Sequence, residues 1–165
     1  GFQLWINLPA REKGAAPRYR DVPAEALGTA AGPGFRARAL AGGWRFGDAA
    51  VEGPLEELVP RAAIADLELD AGAAVTVAAE PDETFLAYVY EGALVGEDRP
   101  LRRRELVVLG PGDHWRCTAD AAGASLLLLR GRPIREPVVA WGPFVMNRRE
   151  EIEAAIEDYR AGRLG

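Results

Sequence analysis

Asp70-Ala71-Gly72-Ala73-Ala74-Val75-Thr76-Val77-Ala78-Ala79-Glu80-Pro81-Asp82-Glu83-Thr84-Phe85-Leu86-Ala87-Tyr88-Val89-Tyr90-Glu91-Gly92 reads as two short β-strands set between turns. Asp70-Ala71-Gly72 and Pro81-Asp82 are turn signals, and the runs Ala74–Ala79 and Thr84–Glu91 between them carry β-branched and aromatic residues. Leu86, Ala87, Tyr88, Val89 and Tyr90 are apolar on both faces, which places the second strand in the middle of a sheet.

The same rhythm extends outward in both directions. Strands are expected at Phe35–Leu40, Ala62–Leu69, Glu105–Leu109, His114–Thr118 and Ala124–Arg130. Gly42-Gly43, Gly53-Pro54, Gly110-Pro111-Gly112-Asp113 and Ala122-Gly123 punctuate them. Short strands with a turn signal about every ten residues define an all-β sandwich or barrel.

The two ends differ from this middle. Phe2, Leu4, Ile6 and Leu8 alternate with Gln3, Trp5 and Asn7, a period-two strand with apolar character on both faces. Ala10–Pro23 is a polar, proline-rich connector, Ala24–Leu27 one helical turn, and Gly32-Pro33-Gly34 closes the connector as a loop. At the other end, Asn147 is an N-cap candidate with Glu150 three residues on, and Ile152, Ala155, Ile156 and Tyr159 form one apolar stripe. This predicts an amphipathic helix over Arg148–Ala161, stopped by Gly162.

Composition narrows the classes of function. The chain has 165 residues, enough for one barrel-sized core, and a net charge of −5, the wrong sign for a general polyanion binder. Direct nucleic-acid binding is therefore not expected. No apolar run approaches the ~20 residues of a membrane-spanning helix, so no membrane role is expected either. Cys117 is the single cysteine and reads as a small apolar residue, which fits a cytoplasmic setting. The chain begins at Gly1 without a methionine, the expectation for a cut piece or a processed product.

Three features invite chemistry, and each reads as solvated surface. His114, the only histidine, sits beside Asp113 with no second imidazole or carboxylate pair to make it a base or a ligand. Arg102-Arg103-Arg104 is offset by Glu97, Asp98 and Glu105. Glu56-Glu57 and Glu150-Glu151 are sequence neighbours, which do not face one another on a helix. Trp44, Trp115 and Trp141 read as core or interface residues.

The turn pattern resembles that of cupins, whose first motif runs G-x5-H-x-H-x4-E-x6-G and whose second runs P-x-G-x2-H. Gly72 and Gly92 fit the first frame and Gly112 anchors the second. The two His slots then fall on Ala78 and Glu80, the Glu slot on Phe85, and the last His slot on Trp115; His114 is one residue out of phase. Alanine, phenylalanine and tryptophan offer no donor to iron, manganese or zinc. The expectation is a cupin-like (RmlC-like) jelly-roll β-barrel with one C-terminal amphipathic helix, filled with side chains. No residue is assigned a catalytic, cofactor-binding or metal-binding role.

Gly1-Phe2-Gln3-Leu4-Trp5-Ile6-Asn7-Leu8-Pro9, Pro17-Arg18-Tyr19 and the tail Glu136-Pro137-Val138-Val139-Ala140-Trp141-Gly142-Pro143-Phe144-Val145-Met146-Asn147 resemble segments of the pirin family. Pirins are bicupins, two β-barrels facing each other in one chain, with an iron-type metal in the N-terminal barrel. The resemblance implies that residues 1–34 are a crossover strand and connector belonging beside a missing N-terminal cupin domain. Residues 35–146 would be a metal-free C-terminal barrel, and 147–165 a helix and tail. It implies an intact protein that is an iron-dependent quercetin 2,3-dioxygenase-type enzyme, this half being non-catalytic. The alternative is a protein-binding regulatory module, a transcription-cofactor-like part that contacts another protein. Expected partners are the N-terminal cupin domain of the same protein and a second copy, joined through Phe2–Leu8.

Overall fold

The structure is a computed structural model describing residues 1–55, 58–59, 61–96 and 99–163. The chain forms two compact units, one from Val22 to Pro133 and one that combines Gly1–Asp21 with Ile134–Gly165.

The larger unit is a jelly-roll barrel of antiparallel strands. Its strands are β1 (Gly28–Gly32), β2 (Phe35–Ala41), β3 (Gly43–Phe46), β4 (Ala49–Glu52), β5 (Ala62–Leu69), β6 (Ala74–Ala78), β7 (Thr84–Leu94), β8 (Leu101–Arg102), β9 (Leu106–Leu109) and β10 (His114–Gly131). They follow the order β1-β2-β5-β10-β6-β3-β4, and β7 joins β10 on one side to β8 and β9 on the other. The expected central place of the strand around Tyr88–Tyr90 is therefore met: it is hydrogen-bonded along both edges.

Two expectations give way here. Gly28–Gly32 is a strand rather than part of the connector, and Gly32-Pro33-Gly34 turns the hairpin into β2, with Gly34 at φ 75°. The two strands expected around Ala122-Gly123 are one bent strand, 18 residues long. Its first part pairs with β6, and its second part lies between β5 and β7. The register with β7 slips between Ala119 and Ala124, a bulge in which Gly123 adopts φ 83°. A bulge bends a strand without ending it, so a turn signal in the sequence becomes the corner of the barrel.

Gly92 faces that corner at φ 67°, and a Cβ placed on it would overlap the carbonyl oxygen of Gly123. The backbone, not a flexible side-chain tip, is what it would meet. Gly92→Ala is expected to destabilise the barrel by about 1–3 kcal/mol through backbone strain, read as a lower urea midpoint with an unchanged slope. An unchanged midpoint would show that the corner relaxes freely.

The barrel interior is narrow and apolar. Alternate residues point inward along each strand: Ala37 and Ala39 on β2, Leu67 on β5, Val77 on β6, Val89 on β7, and Leu126 and Leu128 on β10, each 3% exposed or less. The alanines keep the cross-section small, so a single layer of larger side chains fills it. Cys117 belongs to this core, with its thiol on the carbonyl of Val75 at 3.7 Å. Burial pushes that thiol up to about 12, so it is an inert packing residue.

The smaller unit contains a hairpin of β11 (Val139–Trp141) and β12 (Phe144–Met146) and one helix, α1 (Arg149–Arg160). The helix starts one residue later than the sequence predicts. Arg148, not Asn147, is the N-cap, and Glu151, not Glu150, occupies the third position. The reason is in the hydrogen bonds: the Glu151 carboxylate accepts from the backbone N–H of both Asn147 and Arg148, each at 3.0 Å. Those bonds hold its carboxyl below the usual carboxylate range. Asn147 instead donates its side-chain amide to Glu136 and to the carbonyl of Pro137. Ile152 and Ala155 are buried as the stripe requires, but Tyr159 is 67% exposed and touches Phe144 edge-on at 6.3 Å.

Phe2–Leu8 belongs to this unit and is in no sheet among the described residues. Its side chains remain open, with Trp5 73% exposed and Phe2 54%. The sole lysine anchors the segment's end, Lys13 donating to Asn7 Oδ1 at 2.6 Å and to the carbonyl of Val145 at 2.8 Å. Among the described residues no helix is long and apolar enough to cross a membrane.

Candidate functional site

The place where a small barrel does chemistry is its interior and mouth, and here both are occupied by side chains. Trp44 and Phe46 alternate with exposed Arg45 on β3 and so turn inward together. Their rings stack at 6.0 Å with 13° between planes. Phe35 meets Phe46 at 6.0 Å, and Phe85, at the start of β7, meets Trp44 edge-on at 5.9 Å. Trp115, near the start of β10, continues the series against Phe85 at 5.9 Å. All these separations fall in the favourable range for aromatic pairs. The result is a continuous file of five rings across the barrel.

One charged pair caps this file. Arg130 is in phase with Leu126 and Leu128 on β10, so its side chain turns toward the barrel rather than toward water. Glu83 lies in the bend just before β7, two residues ahead of inward-facing Phe85. The register Arg130↔Phe85 brings the two ends together. Arg130 Nη1 donates to Glu83 Oε2 at 2.8 Å, with the two side chains only 15% and 17% exposed. Its other terminal nitrogen donates to the carbonyl of Gly43, and its guanidinium carbon lies 4.9 Å above the Trp44 ring. Trp44 is fixed in turn by its Nε1 donating to the carbonyl of Ala41 at 3.2 Å. A cavity of about 500 Å³ adjoins the pair, lined also by Gly42, Glu52 and Arg61.

Arg130 and Glu83 were not singled out in the sequence. A signal for them existed: each continues the inward phase of a strand whose preceding or following alternate residues are buried and apolar. A charge in that phase must find a partner or pay several kcal/mol in desolvation.

The expected ligand slots divide. Phe85 and Trp115 turn into the barrel as the glycine frame requires. Ala78 and Glu80 do not: Val77, fully buried, and Ala79 are the inward residues, Ala78 is half-buried on the outer phase, and Glu80 is exposed. One residue of phase reverses every side chain on a strand, so along β6 the inward positions fall one residue earlier than the glycine spacing predicts.

The remaining candidates stay apart from the barrel interior. His114 is exposed, its Nδ1 2.5 Å from Asp113 Oδ1, and that contact holds the Asp113 carboxyl below its usual range. Arg103 donates to the carbonyl of Tyr90, while Glu105 is paired with Arg99 at 2.8 Å. Glu56, Glu57, Glu97 and Asp98 lie outside the described residues. Trp141 is 68% exposed. Among the described residues, no three His, Cys, Asp or Glu side chains converge as a metal would need.

A jelly-roll barrel whose interior is packed with rings instead of ligands defines a filled cupin domain. The family model of the pirin C-terminal cupin domain matches residues 64–165, and the chain belongs to the pirin family. It is 41% identical to a putative quercetin 2,3-dioxygenase of Pseudomonas aeruginosa, over 99% of this chain and 59% of that protein. It is 37% identical to a putative quercetin 2,3-dioxygenase of Vibrio cholerae, over 99% of this chain and 58% of that one. Among solved structures, a quercetin 2,3-dioxygenase from Acinetobacter baumannii superposes with a TM-score of 0.86 at 30% identity, covering 98% of this chain and 55% of that one. The chain thus spans a little over half the length of these relatives.

The pirin resemblance implies iron in an N-terminal barrel, and the interior of the present barrel offers no donor set for it among the described residues. Val77, Ala79, Phe85 and Trp115 face the interior and carry no imidazole or carboxylate. Glu83 is already committed to Arg130.

Proposed function

We propose that this chain is the non-catalytic cupin half of a pirin-type two-barrel protein, with iron-dependent quercetin 2,3-dioxygenase-type chemistry residing in a barrel outside the present sequence. The observation that carries this reading is the file of five aromatic rings, capped by Arg130 and Glu83, where a metal-bearing barrel needs a ligand pocket. The length relation to the relatives supports it, since their names describe dioxygenases and this chain matches only part of each. The work of this half is then structural: it closes one side of a cleft over the other barrel's metal. The apolar stretch Gln3–Leu8, outside every sheet of the described residues, is the natural partner strand for that barrel, and in its absence an adhesive segment between copies.

Metal analysis of the chain, purified without chelator and exposed to ferrous iron under nitrogen, tests the reading. Iron far below one per chain is expected. About one tightly held iron per chain would overturn it, because ligands would then converge where none are assigned. The coding sequence upstream of Gly1 gives a second check: an H-x-H motif one barrel-length away supports a two-barrel protein, and a start codon immediately before Gly1 refutes it.

A further inference from the structure

We infer that β9 is a self-pairing edge through which two copies of this chain join their sheets, with Leu106 of each copy opposite Val108 of the other. Among the described residues, β9 is the last strand on its side of the barrel and pairs only with β7. Its sequence, Leu-Val-Val-Leu, lacks the lysine, proline or inward charge that normally protects an edge. Leu106 and Val108 are 53% and 64% exposed. Val107 and Leu109 pack against the core from the inner face, which anchors the strand to the barrel.

The hydrogen-bond phase sets the register. The N–H of Val89 donates to the carbonyl of Glu105 at 3.0 Å. An antiparallel ladder alternates, so Val107 and Leu109 spend their backbone groups on Ala87 and Phe85. Leu106 and Val108 therefore direct their N–H and C=O away from β7, and no backbone partner receives them among the described residues.

Two outward residues separated by one form a self-complementary pair. An antiparallel two-fold axis through Val107 sets Leu106 against Val108 of the second copy twice over, making four backbone hydrogen bonds and leaving none of these groups unmet. The exposed side chains of the same residues then extend an apolar outer face already formed by Leu86, Tyr88, Leu127 and Leu129. Charge favours a second copy as the occupant as well. The arginine turn Arg102–Arg104 precedes the strand and exposed Asp113 follows it, so the two-fold brings opposite charges to the same end. A four-residue edge is a small interface, and the dimer is weak and concentration-dependent.

The inference is independent of the proposed dioxygenase context and of Phe2–Leu8. Sedimentation equilibrium of the chain up to about 500 µM, the range for weak interfaces, is expected to show dimer. Val108→Lys is expected to weaken it at least tenfold, a lysine on an edge being what blocks pairing. Val108 is exposed, and an unchanged thermal melt would confirm that the variant folds. For the register, Leu106→Cys and Val108→Cys proteins are oxidised separately and mixed. Hydrogen-bonded antiparallel partners lie about 5.5 Å apart at Cα, within disulfide reach. Cross-linked dimer is expected in the mixture and not in either variant alone. A monomer throughout the range, cross-linking no greater in the mixture, or a dimer that survives Val108→Lys and is lost in Trp5→Ser would each overturn it.

Discussion

Trp44→Ala is expected to cost about 3–5 kcal/mol, the range for deleting a large aromatic side chain from a packed core. Trp44 is 3% exposed and is the middle ring of the aromatic file, the one on which the Arg130 cap rests. It stacks on Phe46, meets Phe85 edge-on, and supports the Arg130 guanidinium. Its removal leaves a void in a barrel whose walls are close-packed β-strands and cannot collapse far. For a chain of this length the loss corresponds to a fall in melting temperature of roughly 10 °C, measured by calorimetry. A fall of only 1–2 °C would mean that the rings are loosely packed and that the interior is an available pocket.

The second large effect concerns the cap. Glu83→Gln leaves the Arg130 guanidinium desolvated with its countercharge gone, and Arg130→Met does the converse. Each is expected to cost about 2–4 kcal/mol, a little below the figure for a fully buried pair because both side chains retain some solvent contact. The double variant is expected to lose less than the sum, with a coupling of about 1–2 kcal/mol between the two sites. Urea denaturation of the four proteins reads this directly. Strict additivity would show that the two charges are stabilised separately, Arg130 by Trp44 and Gly43 alone.

How much of this was legible in the sequence depends on the kind of signal. Strands built from bulky alternating residues, such as Ala62–Leu69 and Ala74–Ala78, stand out because their burial pattern is written in residue type. β1 was missed because Gly28-Thr29-Ala30-Ala31-Gly32 is too small to show a pattern; it is a strand because β2 gives it a full ladder. The β3–β4 hairpin was missed although Trp44 and Phe46 alternate with Arg45 and Gly47-Asp48 supplies a turn. The helix start slipped by one residue because Asn147 is a good N-cap in isolation, yet its amide is drawn to Glu136, a contact no local pattern can reveal.

The candidate site was legible only by elimination. Phe85 and Trp115 were placed in the barrel by the spacing of glycines, and that spacing has a physical basis: Gly92 stands at the corner where β7 passes the bulge in β10. The same spacing misjudged β6 by one residue, because glycine intervals fix turns and not the phase of the strand between them. Arg130 and Glu83 lie 47 residues apart and meet only through strand pairing. Periodicity places each on an inward face, but only the fold introduces them to one another.

The guanidinium at the barrel mouth has one consequence for the life of the protein. Arginine keeps its charge at any pH a cell attains. A barrel closed by a bound ion depends on supply: it must be loaded, it competes with other sinks for its ion, and it can be stripped. Here the cation is translated along with the chain. It arrives in fixed proportion to the fold, and neither chelation nor a change of oxidation state can remove it, so closing this barrel needs no separate loading step.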